Sequence, residues 1–158
     1  MNYDQLKLEN QLCFPLYAAS RLIIRAYQQD LDRLSITYPQ YLVLMVMWEH
    51  EELTVNEIAE KLILNTNTVT PLLKRMETMG LLIRTQSMTD QRKVLIRLSE
   101  QGINMQINAA EIPANLLNKL NIKVGDAEIA RALDLKSRLY DIINLLRQSE
   151  QTTTELVY

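Results

Sequence analysis

The chain has 158 residues, 47% of them hydrophobic, 23% charged and 6% aromatic, with three glycines and four prolines. A chain of this length can bury roughly 68–70% of its unfolded surface without a metal or disulfide, and this composition excludes collagen-like, low-complexity and disordered chains while disfavouring many-turned all-β folds. Seventeen Lys and Arg against nineteen Asp and Glu give a net charge of −2, which taken as a whole speaks weakly against a nucleic-acid partner.

From Leu8 to Leu34, Leu12, Leu16, Ala19, Ile23, Tyr27, Leu31 and Leu34 recur at helical spacing, predicting one long amphipathic helix that either kinks at Pro15 or begins irregularly there. Pro39 suits a first helical position, and the apolar run Tyr41 to Trp48 reads as a buried helix. It is too short for the ~20 residues of a membrane span, and the acidic N-terminus lacks a signal peptide's basic start, so a cytoplasmic chain with no membrane partner is expected. Thr54 and Glu57 form a capping-box pattern opening a short helix through Leu62. The cluster Asn65-Thr66-Asn67-Thr68 caps the next helix, which carries Val69, Leu72, Leu73 and Met76 and stops at Gly80; Pro71 then falls inside it rather than at its start. Leu81 to Thr85 and Val94 to Leu98 read as a two-stranded hairpin. Ser99 caps a helix running to about Leu120 with a kink at Pro113, an amphipathic helix covers Gly125 to Gln148, and the Thr-rich tail should fray.

A short helix, a polar turn, a second helix and a hairpin is the winged helix-turn-helix order. The fold expected is therefore mainly α, with a two-stranded wing and long helices at both termini. Charge agrees. Between Lys74 and Arg97 lie six basic and two acidic residues, so this segment is +4 and the remainder −6, and a duplex responds to the facing surface rather than to the total. Thr66, Asn67, Thr68 and Thr70 in the first turns of the second helix suit base edges, Lys74 and Arg75 suit phosphates, and Arg92 suits the minor groove with Asp90 holding its guanidinium; Arg84 belongs to the same basic face. The competing structural reading makes the Asn and Thr residues helix caps and the Asp90–Arg92 pair a solvated turn.

The segment LTVNEIAEKLILNTNTVTPLLKRMETMGLLIRTQSMTDQRKVLIRLSEQG resembles the DNA-binding core of the MarR family of bacterial transcription regulators, with Asp90-x-Arg92 and Ser99-x-x-Gly102 as its most telling features. LENQLCFPLYAASR and ITYPQYLVLMVMWEHEELTV are similar to the organic-hydroperoxide-sensing, OhrR-type branch, and the likeness spans roughly residues 6 to 148. It implies one MarR-type domain over 1–158, with a DNA-binding lobe at about 38–102 and a dimerisation lobe at about 5–36 together with 103–148. It further implies a homodimer on a pseudo-palindromic double-stranded operator. The branch usually reads Asp-Ser-Gly-Thr where this chain has Asn65-Thr66-Asn67-Thr68, and an ordinary helix former where it has Pro15.

Cys13 is the single cysteine and His50 the single histidine, which excludes an intrachain disulfide framework and a cysteine-rich zinc site. An isolated Cys on an apolar helix face is most often an inert small hydrophobe. The resemblance instead makes Cys13 a peroxide-sensing thiol attended by Tyr17, Tyr27 and Tyr38. Tyr27 lies fourteen residues beyond Cys13, about 21 Å along a straight helix, so Tyr27 and Tyr38 would have to reach the thiol from a second subunit. With no second cysteine, an oxidised Cys13 would pair with a small external thiol or oxidise further. No cofactor, metal or enzymatic activity is expected. The alternatives are a MarR-type regulator released by a small aromatic or phenolic ligand, with Cys13 inert, and a thiol peroxidase, which lacks an activating Arg or His partner near the cysteine.

Overall fold

The structure is a computed structural model that describes residues 3–119 and 125–155. Two short 3-10 turns, Asp4–Leu6 and Leu8–Asn10, precede helix α1, Cys13–Arg33. Of the two behaviours expected at Pro15, the helix takes the irregular start. Pro15 is the third residue of α1, where backbone N–H groups lack an intrahelical acceptor, so its missing donor costs nothing and no kink is needed.

Helix α2, Tyr38–Trp48, has Pro39 in its first turn, and the Thr37 backbone N–H donates to Gln40 Oε1 at 2.7 Å. Gln40 is buried and also donates to Met79 Sδ at 3.2 Å, tying the start of α2 to the chain just past the helix Thr66–Thr78. Strand β1, Leu53–Thr54, leads into α3, Val55–Leu62, through the expected capping box: Thr54 Oγ1 accepts from the Glu57 N–H at 3.2 Å, and Glu57 Oε2 accepts from the Thr54 N–H at 2.7 Å. Ile63 ends α3 in the left-handed region at φ 56°, a conformation that a β-branched residue rarely adopts. Helix α4, Thr66–Thr78, starts directly after Asn65, with Pro71 inside it.

Strands β2, Leu82–Gln86, and β3, Val94–Leu98, form the hairpin, Leu82 opposite Leu98 and Gln86 opposite Val94. The sheet is three-stranded rather than two-stranded: β1 pairs antiparallel with β3, Leu53 opposite Ile96, giving the order β1-β3-β2. Two residues carry no readable alternation, so β1 exists only through its partner.

The helix expected from Ser99 to about Leu120 is broken, not kinked. Helix α5, Glu100–Ala109, ends before Pro113, which sits in the first turn of α6, Ile112–Lys119. Proline there needs no hydrogen bond, whereas inside a continuous helix it would remove one and crowd the previous turn. The stretch around Leu120 lies outside the described residues. Helix α7, Asp126–Glu155, runs seven residues past Gln148 into the tail expected to fray, since extending a formed helix is far easier than nucleating one.

The chain divides into two compact units, Met1–Leu116 and Leu117–Tyr158. The first holds a core of Leu31, Val43, Leu44, Met47, Ile58, Val69, Leu73, Met76, Leu81 and Ile96, each 0–1% exposed and each stabilising by roughly 1.5–3 kcal/mol relative to exposure. In the second, α7 carries Ile129, Leu133, Leu135, Tyr140, Leu145 and Leu146 exposed. Among the described residues no helix is long and apolar enough to cross a membrane.

Candidate nucleic-acid interface and thiol site

Helix α4 divides cleanly between two faces. Val69, Leu73 and Met76, spaced four and three apart, are buried, which turns Thr66, Asn67, Thr68, Lys74 and Arg75 to solvent and leaves Thr70 half-buried. Asn65 precedes the helix in extended conformation but makes no side-chain cap bond, so its amide is not committed to the backbone.

The wing turn is held from within. Ser87 is buried and its Oγ accepts from the backbone N–H groups of Thr89 and Asp90, both at 3.3 Å. Asp90 Oδ1 accepts from the backbone N–H of Arg92 at 3.1 Å and from its Nε at 3.2 Å, the arrangement expected from sequence. Those two bonds hold the Asp90 carboxyl below its usual range. The Arg92 side chain is 92% exposed, so one edge of its guanidinium is fixed by Asp90 while the rest points to solvent.

A cleft of about 220 Å³ joins these parts, lined by Thr54, Val55 and Asn56 at the start of α3, Thr66 and Thr70 on α4, Arg84 on β2, and Arg92, Lys93 and Val94 on the wing. Arg84 differs from the other basic residues: its side chain is only 16% exposed and it pairs with Glu77 at 3.1 Å, while its Nε is buried without an acceptor among the described residues. Arg97 likewise pairs with Glu52 at 2.6 Å. Three of the six cations behind the +4 segment, Arg84, Arg92 and Arg97, are thus paired with neighbouring carboxylates. Lys74, Arg75 and Lys93 remain exposed. Thr54 was read from sequence only as a cap and Asn56 carries no local signal; only the packing of α3 beside α4 brings them to the cleft.

Cys13 is the first residue of α1 and is exposed, so its thiol is open to an oxidant. Tyr17, one turn on, is exposed too; its hydroxyl accepts from Arg21 Nη1 at 2.7 Å, which leaves the phenolic hydrogen available to donate. Tyr27 and Tyr38 do not approach Cys13 in the same chain. Their rings lie 5.5 Å apart, centroid to centroid, and fourteen residues of continuous α1 put Tyr27 about 21 Å from Cys13. Tyr41, read from sequence only as part of a buried run, completes the cluster at 6.2 Å from Tyr27 and 6.5 Å from Tyr38. Burial raises the Tyr27 and Tyr41 pKa values, reinforced by the neighbouring phenols, so both stay neutral donors.

A model of the transcriptional regulator SarA/Rot family matches residues 25–108. Over 146 residues the chain is 47% identical to the organic hydroperoxide resistance transcriptional regulator of Bacillus subtilis (strain 168), covering 92% of this chain and 96% of that one. Its structure is similar to reduced AbfR bound to DNA, AbfR being a Staphylococcus epidermidis protein, with a TM-score of 0.73, 36% identity, and coverage of 90% of this chain and 99% of the other. Escherichia coli MarR, 22% identical over 82% of this chain and 96% of its own, shares the fold at a TM-score of 0.67. With the α3-turn-α4 unit, the wing and the exposed thiol in place, the chain belongs to the SarA/Rot and MarR-type winged-helix transcriptional regulators, and within them to the relatives of the organic hydroperoxide regulator.

Proposed function

We propose that this chain is a homodimeric repressor in the cytoplasm that binds a two-fold pseudo-palindromic operator and loses affinity when Cys13 is oxidised. In this reading Thr66, Asn67, Thr68 and Thr70 meet base edges, Lys74, Arg75 and Arg84 face phosphates, and Arg92, held by Asp90, enters the minor groove. Arg84 would act from inside the cleft, with Glu77 already on one edge of its guanidinium. Residues of about 5–36 and 103–148 form the dimer, and about 38–102 the DNA-binding lobe. Tyr17 from the same chain and Tyr27 and Tyr38 from the partner subunit donate toward the thiolate, which favours its charged and reactive form.

The chemistry closes without a second cysteine. The Cys13 thiolate attacks the distal peroxide oxygen, the O–O bond breaks, and the hydroperoxide leaves as an alcohol while sulfur becomes a sulfenic acid; a small thiol then condenses with it to a mixed disulfide and water. No substrate is turned over, so the chain is a regulator and not an enzyme.

The observation that carries this reading is the exposure of Cys13 at the start of a helix in a chain with a complete DNA-reading lobe. The test is binding of the purified protein to the DNA upstream of its own coding sequence, with and without an organic hydroperoxide, for the parent and for Cys13→Ser. The expected result is loss of affinity in the parent only, in step with oxygen or a small thiol on Cys13 by mass spectrometry. A Cys13→Ser protein that still responds would overturn the thiol switch in favour of release by a bound phenolic ligand.

A further inference from the structure

One side chain on the wing is out of keeping with its surroundings. Met88 lies in the turn between β2 and β3 and is 99% exposed, the most exposed of the large hydrophobic residues described. The other described methionines, Met45, Met47, Met76, Met79 and Met105, are buried or half-buried. Folding gains nothing from an apolar side chain held in water. The turn is nevertheless built to hold it out: Ser87 turns inward and binds the backbone of Thr89 and Asp90, its N–H donates to the Lys93 carbonyl at 3.0 Å, and Asp90 fixes Arg92 on the same turn.

We propose that Met88 is a second oxidant-responsive group, placed on the DNA-reading wing and independent of Cys13. The inference rests on the reading above, in which the wing enters the minor groove. There an unbranched thioether on the same turn as Arg92 packs against sugars and the groove floor, a use of apolar side chains common among minor-groove binders. A hydroperoxide transfers one oxygen to the sulfur: the lone pair attacks the distal oxygen, the O–O bond breaks, the hydroperoxide leaves as the alcohol, and the thioether becomes a sulfoxide. The product is polar and strongly hydrated, so the apolar contact is lost while Arg92 and the wing turn stay intact. The thioether is a weaker nucleophile than a thiolate, so Met88 responds at higher oxidant doses than Cys13. Methionine sulfoxide reductases restore it, whereas over-oxidised Cys13 stays oxidised.

The test uses the full-length Cys13→Ser protein, which removes the first switch. Graded cumene hydroperoxide should place a single added oxygen on the peptide containing Met88 before any other methionine, and binding to a fluorescein-labelled duplex from upstream of the protein's own coding sequence should fall several-fold. Methionine sulfoxide reductases A and B with dithiothreitol should restore it. Met88→Leu, which stays apolar and cannot take up oxygen, should show the same affinity with and without oxidant, while Met88→Gln should bind weakly without oxidant. Oxygen appearing first at another methionine, or a Met88 sulfoxide that binds as the reduced protein does, would overturn the inference. Arg92→Ala separates the two layers. If it binds as the parent does, the wing reading itself falls; if it loses affinity while the Met88 sulfoxide does not, only this inference falls.

Discussion

The outer half of α1 and the whole of α4 are built from the same kinds of residue and come to opposite ends. In α4, Val69, Leu73 and Met76 are fully buried beneath a polar face. From Cys13 to Ile23, Phe14, Leu16, Tyr17, Leu22 and Ile23 are all exposed, and the buried residues of α1, Asp30 and Leu31, come only at its far end. An amphipathic stripe records that a helix face is meant to be covered, and by itself it does not record by what. In α4 the cover is the chain's own α2, α3 and sheet; in the proposed dimer a second copy would cover α1.

The largest effect that could break this comparison is in the packed region. Leu73→Ala should lower unfolding stability by about 2–5 kcal/mol, because a fully buried Leu loses both its transfer energy and its packing, as denaturant midpoints would record. A loss below ~1 kcal/mol would mean that α4 is as loosely covered as the outer half of α1. Gly102→Ala comes next: a Cβ at this position would lie 2.3 Å from the Leu81 carbonyl oxygen, and α5 cannot retreat freely because the Gly102 carbonyl accepts from Trp48 Nε1 at 3.0 Å. The expected cost is about 1–3 kcal/mol, read from the thermal midpoint.

The capping box of α3 gives a smaller and pH-dependent effect. Thr54→Ala should cost about 1 kcal/mol near neutral pH. Bonds from Thr54 hold the Glu57 carboxyl below its ordinary 4.5, so its contribution is complete above that pH and is lost as the pH falls through the depressed value. Stability of the parent against Glu57→Gln, measured from pH 6 down to 3, should therefore converge at the acid end; curves that stay parallel would remove Glu57 from the cap. The smallest change in stability belongs to the exposed helix. Leu22→Ser should alter unfolding of the single chain by less than ~0.5 kcal/mol yet shift sedimentation toward monomer at low protein concentration. A large loss of stability with unchanged assembly would reverse the assignment of that face.

Local chemistry in the sequence was enough for most of the elements. The Thr54 and Glu57 box, Pro39 and Gly80 at the end of α4, with φ +74°, all act within one or two turns and needed no partner to be read, whereas the side-chain cap expected from Asn65 does not form. The order of elements and the Asp90–Arg92 pair, two residues apart, were legible for the same reason. Distant pairing was not. Strand β1 exists because β3 runs beside it, Arg84 and Arg97 look like free cations until Glu77 and Glu52 meet them, and Tyr41 joins Tyr27 and Tyr38 only when α1 and α2 pack. Sequence alone thus determined the helix-turn-helix, its wing and the lone thiol, because each is written in neighbouring residues. The tertiary structure decided which charges stay free for a partner, that Tyr41 gathers with Tyr27 and Tyr38, and which apolar faces remain uncovered, because burial and pairing depend on residues distant in sequence, such as Glu52 and Arg97, 45 positions apart.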